Sequence, residues 1–153
     1  MNTENLSVGI RPPVLYVAAL ALGILLHLLT PVRIFAKTGS GHLLGWPVFV
    51  LGSALVLWAE RTLKKYGVEP SFKPVPQIVS SGPYAFSRNP MYLATSLMYL
   101  GVSLATNSIW PMVFLPLILL ILHLAVITKE ELYLEKVFGQ EYLQYRSKVR
   151  RWL

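Results

Sequence analysis

Four apolar runs dominate the chain, at about residues 13–32, 43–60, 90–106 and 109–128. A helix that crosses the hydrocarbon core of a bilayer needs about 20 predominantly apolar residues, within a range near 17–25. The first, second and fourth runs meet this length, and the third comes close to it. Because only a short polar stretch around Asn107 separates the third run from the fourth, the two are predicted to form a tight helical hairpin.

The residues after the fourth run follow a different pattern. Apolar side chains recur at intervals of three or four residues, as on one face of a helix, and most other positions are charged. The pattern predicts an amphipathic tail over residues 129–150, lying on the membrane surface or against the bundle. Gly139 costs a helix on the order of 1 kcal/mol relative to alanine. We therefore expect the helix of the fourth run to end near Phe138 and a short second helix to follow. The apolar face consists of Leu134, Phe138, Tyr142, Tyr145 and Val149.

These elements predict an all-α polytopic membrane protein with four transmembrane helices and a C-terminal amphipathic helical tail, in a single membrane domain over residues 1–153. The composition agrees, since 54% of residues are hydrophobic and 14% are charged, against about 25% charged residues in an average soluble domain. The first run is long and is followed by Arg33 without a small-residue cleavage site. We interpret it as a signal anchor rather than a cleaved signal peptide.

Positive charge is concentrated in the central loop, residues 64–89, and in the tail, whereas the predicted hairpin turn carries none. Because lysine and arginine are retained in the cytoplasm, the central loop, the tail and both termini are predicted to be cytoplasmic, and a bacterial inner membrane is the expected location. The loop after the first run, with Arg33 and Lys37, fits least well. The net charge of +7 indicates contact with anionic membrane lipids, and not with nucleic acid, because most of the chain is not solvated.

The chain has no cysteine, which excludes disulfides, thiolate zinc sites and thiol nucleophiles. Its histidines, His27, His42 and His123, lie far apart without metal-ligand spacing. No metal is therefore expected.

The end of the central loop combines a turn with groups that can bind a ligand. Gly82 and Pro83 mark the turn, Tyr84 follows, and Arg88 stands just before Asn89. A structural interpretation remains open, in which Asn89 caps the next helix, Arg88 reaches lipid phosphate and the tyrosine lies in the membrane interface.

Two acidic residues follow the fourth run. Glu130 shares a helical stripe with apolar residues, so we expect it to face inward and to pair with Arg88 or with a cationic ligand. We expect Glu131, one residue further round, to point elsewhere. His123 lies two turns before Glu130 and on the same face. It either hydrogen-bonds in the core or lines a substrate pocket.

These motifs resemble the isoprenylcysteine carboxyl methyltransferase family, and more narrowly its small bacterial members. The resemblance covers about residues 76–153, half of the chain. It rests on Ser-Gly-Pro-Tyr at 81–84, Arg-Asn-Pro-Met-Tyr at 88–92, Glu-Glu at 130–131 and Phe-Gly-Gln-Glu-Tyr-Leu-Gln-Tyr at 138–145.

The resemblance implies an S-adenosylmethionine site at the cytoplasmic side of the bundle, with Arg88 and Glu130 as the expected catalytic residues and His123 and Val126 in the substrate pocket. Two positions depart from the isoprenylcysteine enzymes, which have His where this chain has Asn89 and a substrate-contacting Arg where it has Val126. The cofactor prediction survives both changes, but the prenylcysteine substrate does not follow. The expected cofactor-binding residues are Pro76, Gln77, Ile78, Val79, Gly82, Tyr84, Asn89, Pro90, Met91, Tyr92 and Glu130.

The leading hypothesis is an S-adenosylmethionine-dependent methyltransferase for a lipophilic small molecule or lipid that carries a carboxylate, amine or thiol. One alternative is a membrane reductase of related fold that uses a nicotinamide cofactor, although the loop has few basic residues to hold two phosphates. The other alternative is a non-enzymatic membrane scaffold.

Overall fold

The computed structural model describes residues 11–68 and 76–153, and the described chain is helical. Helix α1 spans Pro12–Leu29 and α2 spans Thr38–Lys65. After the central loop, whose residues 69–75 lie outside the described part, α3 spans Pro90–Ala105 and α4 spans Ile109–Ile121. A π-helical segment, Leu122–Ile127, joins α4 directly to α5, Thr128–Phe138. Helix α6, Gln140–Lys148, follows.

Three helices in the described residues are long and apolar enough to cross a membrane, namely Pro12–Leu29, Gly39–Lys65 and the continuous helix Ile109–Phe138. Helix α3 has 16 residues, which at 1.5 Å per residue is about 24 Å. The hydrocarbon core is about 30 Å thick. The predicted all-α architecture is confirmed for the described residues, and these three helices are candidates for membrane spans. A fourth span at residues 90–106 and the amphipathic role of the tail stay predictions.

Helices α2 and α3 pack closely because glycines remove side chains from their interface. A Cβ atom on Gly45 would collide with the backbone of Ala105, and one on Gly101 would collide with the backbone of Phe49. Gly52 meets the carbonyl of Ala94 in the same way. Small residues that let helix backbones approach are the usual device for helix association where lipid supplies no hydrophobic driving force.

The predicted hairpin turn is confirmed. Helix α3 ends at Ala105, α4 begins at Ile109, and Asn107 adopts a left-handed conformation with φ of 50°. The Asn107 side chain also holds the loop after α1, since its Oδ1 accepts the Phe35 amide at 2.8 Å and its Nδ2 donates to the Phe35 carbonyl at 3.0 Å. This end of the bundle therefore contains the hairpin and the first loop together.

The opposite end contains the central loop and the tail. The helix of the fourth run continues to Phe138, and the chain breaks at Gly139 with φ of 53°, as the sequence predicts. After α6 the last residues return to the central loop, where Arg150 forms an isolated parallel β-bridge with Ser87. The Arg88 amide donates to the Arg150 carbonyl at 3.0 Å. This C-terminal segment, residues 149–153, packs against the start of α3.

Candidate active site

A hydrogen bond joins the first turn of α3 to the first turn of α5. The Tyr92 hydroxyl donates to Glu130 Oε1 at 2.8 Å, although the two residues are 38 positions apart in the sequence. The structure thus brings the end of the central loop and Glu130 together, and it places the glutamate inward as expected.

Tyr84 lies next to this pair, in a 3₁₀ turn at Gly82–Ala85. Gly82 has φ of 59° and sits against Thr62, so both its conformation and the space around it require glycine. Burial raises the pKa of the Tyr84 phenol well above its ordinary value, and negative charges nearby, including that of Glu130, raise it further. Tyr84 is therefore a neutral hydroxyl close to the acidic group.

An apolar cluster adjoins Tyr84 and includes further predicted cofactor residues. Val79 is buried with Leu63 and Val68, and Tyr84, Met91 and Tyr66 pack against them. Of the preceding residues, Pro76 and Gln77 are exposed and Ile78 is half-buried. Gln77 Nε2 donates to the Tyr66 carbonyl at 2.7 Å, which fixes the loop to the end of α2. Leu63, Tyr66 and Val68 were not identified from the sequence.

Arg88 does not pair with Glu130. Its Nη1 lies 3.0 Å from Glu131 Oε1 and donates to the Tyr142 hydroxyl at 3.2 Å. Arg151 from the C-terminal segment also binds Glu131, through Nε at 2.9 Å and through Nη2. The expectation that Glu131 points elsewhere is therefore wrong, since this carboxylate is 6% exposed and is bound by two guanidinium groups.

The π-helical segment accounts for this difference. Successive α-helical residues are rotated by about 100°, and a π turn contains one extra residue. In an uninterrupted α-helix, residue 130 would therefore point in the direction in which residue 131 points here. The contacts agree, because Arg151 Nη1 lies 2.9 Å from His123 Nε2 while the other nitrogens of the same guanidinium bind Glu131. His123, within the π segment, and Glu131, after it, therefore lie on the same face of the helix.

Asn89 occupies the N-cap position of α3, but its side chain does not cap the helix. Its Nδ2 donates to the Arg151 carbonyl at 3.1 Å, and its backbone amide donates to Ser87 Oγ at 3.1 Å. Pro90 follows as the first helical residue and is buried. The C-terminal segment thus accepts from the side chain of Asn89, and Ser87 accepts from its backbone amide.

Of the two predicted pocket residues, His123 lines a cavity between α3 and α4, and Val126 is not among the residues that line it. The cavity has a volume of about 580 Å³ and is lined by residues of α3, of α4 and of the C-terminal segment. Val126 is fully buried in the main core beside Leu122 and Ile127. The cavity is lined by Leu93, Ser96, Leu119, Leu120, His123 and Trp152.

Four residues of this region were missed in the sequence, namely Glu131, Tyr142, Arg151 and Trp152. The recurrence of apolar residues every three or four positions in the tail places Tyr142 on an inward helical face. This spacing is the signal that could have identified Tyr142. The other three depend on the π segment and on the return of the C-terminal segment. Among the residues that the structure describes, no group of three or more His, Cys, Asp or Glu side chains could hold a metal ion.

Comparison with known proteins gives a family. An uncharacterized protein of Haemophilus influenzae is 38% identical over 63 residues, which cover 41% of this chain and all of that protein. No solved structure matches. The sequence profile of the phospholipid methyltransferase family matches residues 40–141, about two thirds of the chain. This match includes α3, the contact between Tyr92 and Glu130, and the whole of the central loop, and the chain therefore belongs to the phospholipid methyltransferase family.

Proposed function

We propose that this protein is an integral-membrane methyltransferase that transfers the methyl group of S-adenosylmethionine to a lipophilic acceptor. The observation that carries the proposal is the hydrogen bond from Tyr92 to Glu130. It places a carboxylate beside the aromatic and apolar residues at the end of the central loop. Membership of a methyltransferase family supports the same chemistry.

The residues at this site fit the cofactor group by group. S-adenosylmethionine carries a sulfonium, an amino group, a carboxylate and an adenosine. Glu130 supplies a negative charge for the cationic groups, and Tyr84 and Tyr92 supply aromatic surface. Val79 and Met91 supply an apolar surface for adenine.

The carboxylate of the cofactor requires donors, and two are near. Arg88 Nε is buried and has no hydrogen-bond partner among the described residues. A buried donor left unsatisfied costs about 1–3 kcal/mol, or more when charged. The backbone amides near Gly82 are the second source of donors.

Methyl transfer requires few further groups from the protein. The cofactor, when bound, supplies an activated methyl group for an in-line displacement. The protein orients the acceptor and excludes water, and such positioning is worth roughly 7–11 kcal/mol of the barrier. A carboxylate or thiolate acceptor needs no general base, whereas an amine must first lose a proton.

The topology that fits this function has four spans, with α3 as the short one and the amphipathic tail against the membrane surface. The central loop and tail, with most of the positive charge, then face the cytoplasm, where the soluble cofactor is available. Both termini are cytoplasmic in this arrangement, and a bacterial inner membrane is the proposed location. The acceptor reaches the site from the bilayer through the cavity between α3 and α4.

Ligand stabilisation in detergent tests the proposal. S-adenosylhomocysteine at a hundredfold excess over its Kd should stabilise the folded protein by about 2.7 kcal/mol, because it binds the folded state only. NADPH should give no shift. Stabilisation by NADPH without stabilisation by S-adenosylhomocysteine would support the reductase alternative, and no shift with either ligand would support a scaffold.

A further inference from the structure

Arg88 forms its side-chain contacts through one end of the guanidinium. Its Nη1 lies 3.0 Å from Glu131 Oε1 and donates to the Tyr142 hydroxyl at 3.2 Å. Its Nε is buried and has no hydrogen-bond partner among the residues that the structure describes. Arginine and carboxylate frequently pair through two parallel hydrogen bonds, so a single contact to Glu131 is the weaker of the two arrangements. Another group must hold the carboxylate of Glu131 away from Arg88 Nε.

Arg151 is that group, because it binds both oxygens of Glu131. Its Nε donates to Oε1 at 2.9 Å, and its Nη2 donates to Oε2. This is the planar two-bond fork in which a guanidinium matches a carboxylate. The fork fixes the plane of the Glu131 carboxylate and engages Oε2, so only Oε1 is shared with Arg88. With its plane fixed in this way, Glu131 does not turn its second oxygen toward Arg88 Nε.

Arg151 is itself attached through both its backbone and its side chain. Its carbonyl accepts Asn89 Nδ2 at 3.1 Å and Ser87 Oγ at 3.3 Å, from the two residues on either side of Arg88. Its Nη1 lies 2.9 Å from His123 Nε2. The backbone of Arg151 is therefore fixed to the residues that flank Arg88, while its side chain is fixed to the adjoining helix.

We propose that Arg151 is a positioning residue for the carboxylate of the cofactor. By holding both oxygens of Glu131, it leaves Arg88 Nε free to donate to that carboxylate. The inference rests on the proposed function, in which Arg88 binds the carboxylate, and it gives Arg151 a role without contact with the cofactor. In the absence of Arg151, Glu131 would pair with Arg88 through two bonds and would compete with the cofactor for the same donor. Because a buried donor without a partner is costly, one of the two carboxylates binds Nε, and Arg151 decides which.

Two ligands that differ by one carboxylate test the inference. S-adenosylhomocysteine carries an amino group and a carboxylate, and its decarboxylated analogue, the aminopropyl thioether of adenosine, carries the amino group alone. Isothermal titration calorimetry on the detergent-solubilised full chain gives the Kd of each ligand. The ratio of the two Kd values is the carboxylate preference, and it measures the contact with Arg88. A variant that merely loosens the fold weakens the binding of both ligands and leaves this ratio unchanged.

We expect the wild type to bind S-adenosylhomocysteine roughly ten- to hundredfold more tightly than the analogue, which is the range that a hydrogen bond to a charged group provides. Arg151→Gln should lose most of this preference, while the Kd of the analogue stays close to its wild-type value. Arg151→Lys keeps the charge but lacks the planar fork, so it should also lower the preference. Arg150→Gln is the matched control, because Arg150 is the neighbouring residue and is exposed, and the same loss of charge there should leave the preference unchanged.

Equal Kd values for the two ligands in the wild type would overturn the inference, and so would a preference that survives intact in Arg151→Gln or in Arg151→Lys. An equal loss of affinity for both ligands in Arg151→Gln would show that Arg151 only supports the fold. If this variant does not fold, the wild-type ratio and Arg151→Lys still decide the question. Failure of the wild type to bind either ligand would refute the proposed function, whereas equal binding of both would refute the inference and leave the proposed function standing.

Discussion

The most direct prediction concerns replacement of Glu130 by glutamine. The substitution removes one negative charge and keeps an oxygen that can accept the hydrogen bond from Tyr92, which is 2.8 Å in the native protein. The fold should therefore be nearly unaffected. Binding of a cationic ligand should weaken, because Glu130 is the carboxylate that the proposed function assigns to it.

The magnitude follows from the kind of contact. Hydrogen bonds that involve a charged group contribute roughly 1.5–3 kcal/mol, and 1.4 kcal/mol corresponds to a factor of ten in Kd. We therefore expect the Kd of S-adenosylhomocysteine to rise roughly ten- to hundredfold in Glu130→Gln, with an unfolding midpoint close to that of the wild type. Isothermal titration calorimetry in detergent gives the first quantity and thermal unfolding without ligand gives the second.

Glu135→Gln is the matched control. Glu135 is on the same helix, one turn further on, and its carboxylate forms an exposed ion pair with Arg146 at 3.2 Å. Exposed pairs contribute about 0–1 kcal/mol, so this variant should bind and unfold like the wild type. Equal Kd values for the wild type and Glu130→Gln would remove Glu130 from the binding site, and an equal loss in both variants would show a general charge effect.

Three further predictions concern the cluster, the packing and the topology. Glu131→Gln leaves the buried guanidinium of Arg88 and the half-buried guanidinium of Arg151 without their carboxylate, so chemical denaturation should show a loss of about 3–5 kcal/mol; a loss below about 1 kcal/mol would mean that the cluster is solvated. Gly101→Leu places a side chain against the backbone of Phe49 and should prevent α2 and α3 from packing, which the yield of monodisperse protein in detergent would report; a normal yield would refute the close approach. In the cysteine-free chain, Ser147→Cys should react with a membrane-impermeant maleimide only after cell lysis and Thr106→Cys should react in intact cells; the reverse result would invert the topology.

The positions of the helices follow from the sequence because each long apolar run needs a single periodic structure in lipid, where every backbone group must be satisfied internally. The second run illustrates this, since the predicted span at residues 43–60 lies wholly within α2, Thr38–Lys65. The break at Gly139 follows from local chemistry alone, because glycine adopts the left-handed conformation without steric cost. Both predictions depend on neighbouring residues and not on distant ones.

The length of α3 shows that the apolar pattern alone does not decide whether a helix spans the membrane. Pro90 starts the helix and the left-handed Asn107 follows its end, so local signals limit it to 16 residues. Whether a helix of this length crosses the bilayer depends on its tilt, its partners and local thinning of the membrane. The glycine contacts with α2 provide partners for α3 from Ala94 to Ala105, which is why the proposed topology keeps it as a span.

The partner of Arg88 was beyond prediction for a different reason. Spacing arguments assume 3.6 residues per turn, and the π segment at Leu122–Ile127 changes that period shortly before the two glutamates. Pro116, six residues before the segment, lacks a backbone donor, but prolines in transmembrane helices are accommodated in several ways. The pattern of apolar residues alone therefore gave no reason to shift the register by one residue.

The shift in register gives the two adjacent carboxylates different surroundings. Glu131 turns toward Arg88 and Arg151, and these contacts attach the C-terminal segment to the start of α3. Glu130 turns toward Tyr92 and the apolar cluster of the central loop. A continuous α-helix would put residue 130 on the face that meets the arginines, and their positive charge would then compete with a cationic ligand for it. The π segment therefore separates the structural role of one glutamate from the binding role proposed for the other. Because a π turn contains one extra residue, deletion of one residue within 122–127 should restore an α-helix that keeps both glutamates on these faces, and binding of S-adenosylhomocysteine should survive it.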